Sequence, residues 1–224
     1  MRPSPPLAEA AAYGERVPRA LEALAAYLEG SSQPVDALLR SAAVPGREVE
    51  AVLEAARRGE DLRAVASPEG AAAALLAYLE LLPEAVFPAE SHRAVLAAAN
   101  TQDADARLRA LVPCVDRLPG PHRAALQLVC EMARRLAALD GGESLPEVVA
   151  ELAEALFPAR VPGALAREFG DRMRARLHYQ AVGCVAQHPQ VFFDGAQPTV
   201  AQPELRPPGA PRREPPPTRG PPGG

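Results

Sequence analysis

Every long run of apolar residues in this chain repeats at helical spacing, and none alternates as a half-buried strand would. This pattern leaves little besides an all-helical fold. Aromatics make up 4% of the residues and Trp is absent, so a core must be assembled from Ala, Leu and Val. Ala and Leu are strong helix formers. "VPRALEALAAYLEG" has Pro18 near its start, Gly30 at its end, and Leu21, Leu24, Tyr27 and Leu28 on one face. "GREVEAVLEAARRG" repeats the pattern through Val49, Val52 and Leu53, with Gly59 as its stop. "SPEGAAAALLAYLELLPEAVFP" opens with a serine cap followed by Pro and Glu, and Pro83 is expected to stop it. "ESHRAVLAAAN" and "DADARLRALVP" read as two shorter helices. "GPHRAALQLVCEMARRLAALDGG" is long and buries Leu126, Val129, Cys130, Ala133 and Leu136. "LPEVVAELAEALFP" follows, and "REFGDRMRARLHYQAVGCVAQHP" is expected as the last helix.

The chain divides accordingly. Residues 1–14 read as a flexible leader, and residues 15–194 as a single all-α domain of roughly eight or nine helices. Residues 195–224 are crowded with Pro, Gly and Arg and have little to bury, so they are expected to be disordered with polyproline-II character. Within that tail "PGAPRR" fits the P-x-x-P-x-R ligand of SH3 domains, with Pro208 and Pro211 for the grooves and Arg213 for an acidic pocket. A solvated linker is the competing reading. Leu21, Leu24, Leu79, Leu82, Leu126 and Val129 are expected in one core.

Charge and chemistry narrow the function. Net charge is −4, all 24 basic residues are Arg, and no basic stripe marks the body, which argues against nucleic acid. Cys114, Cys130 and Cys184 have no metal-ligand spacing and read as reduced thiols, Cys130 and Cys184 buried and inert. His92, His122, His178 and His188 are scattered, so no metal is expected, and His122 should pack or cap at its helix start. No nucleophile elbow or phosphate loop occurs, and no cofactor or catalysis of the chain's own is expected. No transmembrane span or signal peptide is read, so the expected location is cytoplasmic, with recruitment to membranes through partners.

One residue resists a purely structural account. In "VDALLRSAAVPG", Arg40 stands where an apolar helix, with Val35, Leu38 and Leu39 expected inside, runs into a loop. It either caps the helix C-terminus or projects into a partner's active site.

Four segments in order resemble the Rho GTPase-activating (Rho-GAP) domain. "VPRALEALAAYLEG" is similar to the family's first helix. "ALLRSAAVPG" resembles the "G-[IL]-[FY]-R-x-x-G" loop that carries the arginine finger. "ALLAYLELLPEAVFP" resembles "LLKxYLRELPEPLIP", and "LPGPHRAALQLVCEMARRL" resembles "LPxxHxxxLxxLxxHL". The resemblance spans about residues 17 to 185 and implies the family's helical fold and a Rho-family small GTPase as partner. It puts Arg40 at the finger, supplied in trans. That role requires Arg40 to be exposed, free of carboxylate partners in its own chain, and on one face with Glu80 and Glu151.

The GTPase-binding positions depart from the family pattern. Leu76 stands where active members have Lys, Glu80 where they have Arg, and Glu151 where they have Asn. The finger loop is longer than the family's. Leu76, Glu80 and Glu151 therefore imply weak stimulation of hydrolysis, or a GAP-like module that binds GTPases or adaptor peptides without catalysis. "ALLAYLELLPEAVFP" is also similar to the divergent Rho-GAP-like domain of the Lowe-syndrome type of inositol polyphosphate 5-phosphatase, which has glutamate at the position of Glu80.

Overall fold

The computed structural model of the chain describes residues 17–139, 141–158 and 163–194. Among them every regular element is helical, in the order α1 (Arg19–Glu29), α2 (Pro34–Arg40), α3 (Gly46–Arg58), α4 (Pro68–Glu80), α5 (Ala89–Ala99), α6 (Ala104–Asp116), α7 (Gly120–Ala138), α8 (Leu145–Ala155), α9 (Gly163–Gln187) and α10 (Pro189–Phe193). Single 3₁₀ turns, Ser41–Ala43 and Leu62–Ala64, follow α2 and α3.

Local chemistry sets the boundaries. The Ser67 hydroxyl accepts from the Gly70 N–H at 2.9 Å and caps α4. The same hydroxyl donates to Glu48 at 2.8 Å, which ties the starts of α3 and α4 together. Gly70 allows that approach, since a Cβ there would meet Glu48 Oε1 at 2.7 Å. Asp103 caps α6 by accepting from the Ala106 N–H at 2.7 Å. Gly59 ends α3 in the left-handed region, φ 70°.

Four boundaries differ from expectation. α4 ends at Glu80, before Pro83. α6 continues through Pro113 to Asp116. Arg109 and Pro113 lie on its exposed side, where the carbonyl left without a donor meets water. α9 is broken at Gly170, whose φ of 61° and ψ of 162° no helix contains. α10 adds a further short helix after the expected last one.

α4 is the hub. It is buried on almost every side through Ala71, Ala72, Ala74, Leu75, Tyr78 and Leu79, and it packs against α1, α2, α3 and α8. Leu21, Leu24, Leu79, Leu82, Leu126 and Val129 are all buried in the one core cluster. Across the core, the Phe87 N–H donates to the Leu156 carbonyl at 2.9 Å, joining the segment after α4 to the end of α8. His122 clasps the same segment to α7. It is buried, with Nδ1 3.1 Å from the Ala85 carbonyl and 3.2 Å from that of Val86, and Nε2 3.3 Å from Glu84.

Candidate functional site

α2, α4 and α8 pack pairwise against one another, and each contributes one of the charged positions singled out above. α2 has only seven residues. Pro34 starts it, Ala37 and Leu38 are its buried anchors, and Arg40 is its last residue. Val35 is half-buried, but Leu39 is 44% exposed, contrary to expectation. A two-turn helix lying on α4 has one buried stripe, and Leu38 occupies it, so the adjacent position turns outward.

The Arg40 side chain is 60% exposed. Its Nη2 donates to Asp36 Oδ2 at 2.9 Å, and its Nε donates to the Asp36 main-chain oxygen at 3.3 Å. This corrects both readings of the residue. The carbonyls left open at this helix end belong to residues 37–40, and the guanidinium bonds to Asp36 instead, so of the capping reading only the favourable charge of Arg40 in the last turn remains. Nor is it free of a carboxylate in its own chain. The Asp36 pair is exposed at both ends and spaced i,i+4, a contact of about 0.3–0.5 kcal/mol. Asp36 is the site residue that sequence reasoning missed. The signal was an acid one helical turn before Arg40.

The other positions are distinct in kind. Leu76 is half-buried and packs on the core, where a lysine would present a charge. Glu80 is exposed at the last position of α4, and Glu151 is exposed on α8. Three mutually packed helices thus each carry one of these charges at an exposed position, Arg40 on α2, Glu80 on α4 and Glu151 on α8. Pro208, Pro211 and Arg213 lie outside the described residues.

Cys114, Cys130 and Cys184 are free and buried. Burial pushes the Cys130 thiol up and that of Cys184 up to about 12. Among the described residues no group of three or more His, Cys, Asp or Glu is arranged to hold a metal. No described helix is long and apolar enough to cross a membrane.

The RhoGAP domain profile matches residues 18–141, a span that contains Arg40, Leu76 and Glu80 and stops short of Glu151. Among solved structures, human Rho GTPase activating protein 15 superimposes with a TM-score of 0.67 at 16% identity, covering 86% of this chain and 100% of its own. The BH domain of GRAF, the GTPase regulator associated with focal adhesion kinase, gives 0.63 at 16% identity, covering 79% and 93%. At that identity these two establish a shared fold. No curated protein matches the chain.

Proposed function

The chain belongs to the RhoGAP domain family, and from that premise we propose that it binds a Rho-family small GTPase and stimulates its GTP hydrolysis weakly, through Arg40 acting in trans. One observation carries this reading. Arg40 is an exposed guanidinium, inside the family match, at the end of a helix seated on α4 and α8. Arg suits the role because it is always charged, planar and bidentate. Entering the nucleotide pocket, it would neutralise charge developing on the transferring phosphoryl group. An arginine supplied this way is worth about 10³ to 10⁵ in rate, or roughly 4–7 kcal/mol of barrier.

The finger must first leave Asp36, which costs little for so exposed a pair. Leu76 withholds a cation from the interface, while Glu80 and Glu151 bring negative charge toward a partner's acidic switch regions. Those three substitutions are the reason for expecting weak stimulation. The chain itself performs no covalent chemistry in this scheme, and its site of action is wherever the GTPase sits, in the cytoplasm or on a membrane through its partner.

A second reading is favoured by the same ion pair: with Arg40 engaged by Asp36, the domain binds a GTPase or an adaptor peptide without catalysis. Single-turnover GTP hydrolysis on a panel of Rho-family GTPases separates the two. Stimulation that vanishes in Arg40→Ala supports the finger. Measurable binding with no stimulation supports the module.

The tail segment from Pro208 to Arg213 adds a proposed SH3 ligand, supported by its P-x-x-P-x-R spacing. A 195–224 peptide that binds no member of an SH3 array would remove it.

A further inference from the structure

Two imidazoles that no sequence spacing connects meet inside the bundle. His92 on α5 and His178 on α9 approach Nε2 to Nε2 at 2.9 Å. They are 0% and 4% exposed. Phe157, just beyond α8, stacks on the His178 ring with centroids 3.9 Å apart and planes 7° from parallel. It also lies 5.1 Å from the His92 ring and 4.5 Å from that of Phe87. The outer nitrogen of His178, Nδ1, faces Glu154 Oε1 of α8 at 3.4 Å. Neither outer nitrogen makes a geometric hydrogen bond, and that of His92 has no carboxylate beside it either. Arg174, on α9, is the remaining charge that acts on the pair.

These contacts dictate where the hydrogens sit. An ionised carboxylate only accepts, so Glu154, 3.4 Å from Nδ1 of His178, favours the tautomer that keeps a hydrogen on that nitrogen. Its Nε2 is then bare and accepts. Nε2 of His92 therefore donates, which leaves Nδ1 of His92 bare. That suits a nitrogen without a partner, because an orphaned N–H would be the costlier arrangement. The pair can take up one further proton and keep its bond. Both outer nitrogens then carry a hydrogen, and the two inner nitrogens still share one. A second added proton sets N–H against N–H and one cation beside another.

We propose that His92, His178 and Glu154 form a proton-limited joint that locks α5 and α8 to α9 at neutral pH and opens in acid. Burial first, then His178 and Arg174, hold His92 down to about 4, with Glu154 opposing them. The hydrogen bond from His178 keeps the Glu154 carboxyl below its usual range. Because the folded value for His92 lies below the unfolded value of about 6.5, the unfolded chain protonates first. The stability contributed is full above that value and is lost as pH falls toward about 4. α8 also packs against α2, so opening the joint loosens a wall of the surface that carries Arg40.

The test uses the full chain, with ¹⁵N NMR of the imidazoles and urea midpoints from pH 7.5 to 3.5. At pH 7.5 His92 should show the Nε2–H tautomer and His178 the Nδ1–H tautomer, with His92 gaining its proton only near pH 4. The folding constant should fall roughly 10²-fold between pH 6.5 and 4 on account of His92. His92→Gln keeps an N–H for His178 and cannot titrate, so its midpoint should fall less with acid than that of the wild type. His188, half-buried and shifted in the same direction, contributes equally to both curves. His92→Phe should be less stable already at pH 7.5. Parallel midpoint curves for wild type and His92→Gln, or a His92 that titrates near 6.5, would overturn the joint.

Discussion

At the scale of single residues, Arg40 and Asp36 set the functional question. Asp36 holds the guanidinium back along its own helix, so removing the carboxylate should release it. Asp36→Ala is expected to raise single-turnover stimulation about twofold, the equivalent of an exposed i,i+4 pair. A rate equal to or below the wild type would show that the pair does not restrain the finger. Leu39 presents an outward apolar side chain next to Arg40. Leu39→Ala should weaken GTPase binding while changing unfolding free energy by less than about 0.5 kcal/mol. Calorimetric binding that is unaffected would take Leu39 out of the interface. The place of Arg40 at a helix end was legible in its flanking apolar residues and Pro45-Gly46. The outward turn of Leu39 was not, because a two-turn helix has too few positions to define a face. Glu80 and Glu151 were legible as exposed acids, but Leu76 only as a missing charge, since its half-burial depends on neighbours remote in sequence.

At the scale of elements, α4 joins the core to the site. Its punctuation could be read directly: Ser67 caps, Pro68 starts, and the alanines let α1, α2, α3 and α8 come close. Leu75 is fully buried at the centre of that contact. Leu75→Ala, like Leu126→Ala on α7, should cost about 2–5 kcal/mol in urea unfolding. Values near zero would mean that these helices are not the hub and wall of one core. On the outer end of α4, Leu76→Lys together with Glu80→Arg should raise GTP hydrolysis if the lost cations limit the rate. No change in single-turnover rate would place the limitation elsewhere. The breaks were harder to read. Pro113 looked like a stop but sits on a solvent-facing side of α6, whereas Gly170 looked like one helix residue among many and interrupts α9. Side-chain periodicity does not report backbone dihedrals, so a glycine in the middle of a helical pattern gives no sign of which way it will turn.

At the scale of the whole molecule, an aromatic-poor chain builds its core from small aliphatic helices and places its few rings where elements must be joined. Phe87, Phe157, His92 and His178 form one such stack. Its partners come from four stretches of chain with no common spacing, which is why helical periodicity could outline the fold but not this joint. The same limit applies to the surface. The helices that carry Arg40, Glu80 and Glu151 meet only through the mutual packing of α2, α4 and α8, which sequence order does not show. What that surface does rests on Arg40, and the most direct measurement is single-turnover GTP hydrolysis by a Rho-family panel with wild type and Arg40→Ala, alongside binding to the same GTPases. The predicted result is weak stimulation by the wild type, none by Arg40→Ala, and affinities within a few-fold, because the finger acts mainly in the transition state. Equal hydrolysis rates with wild type and Arg40→Ala, while both bind, would contradict the account.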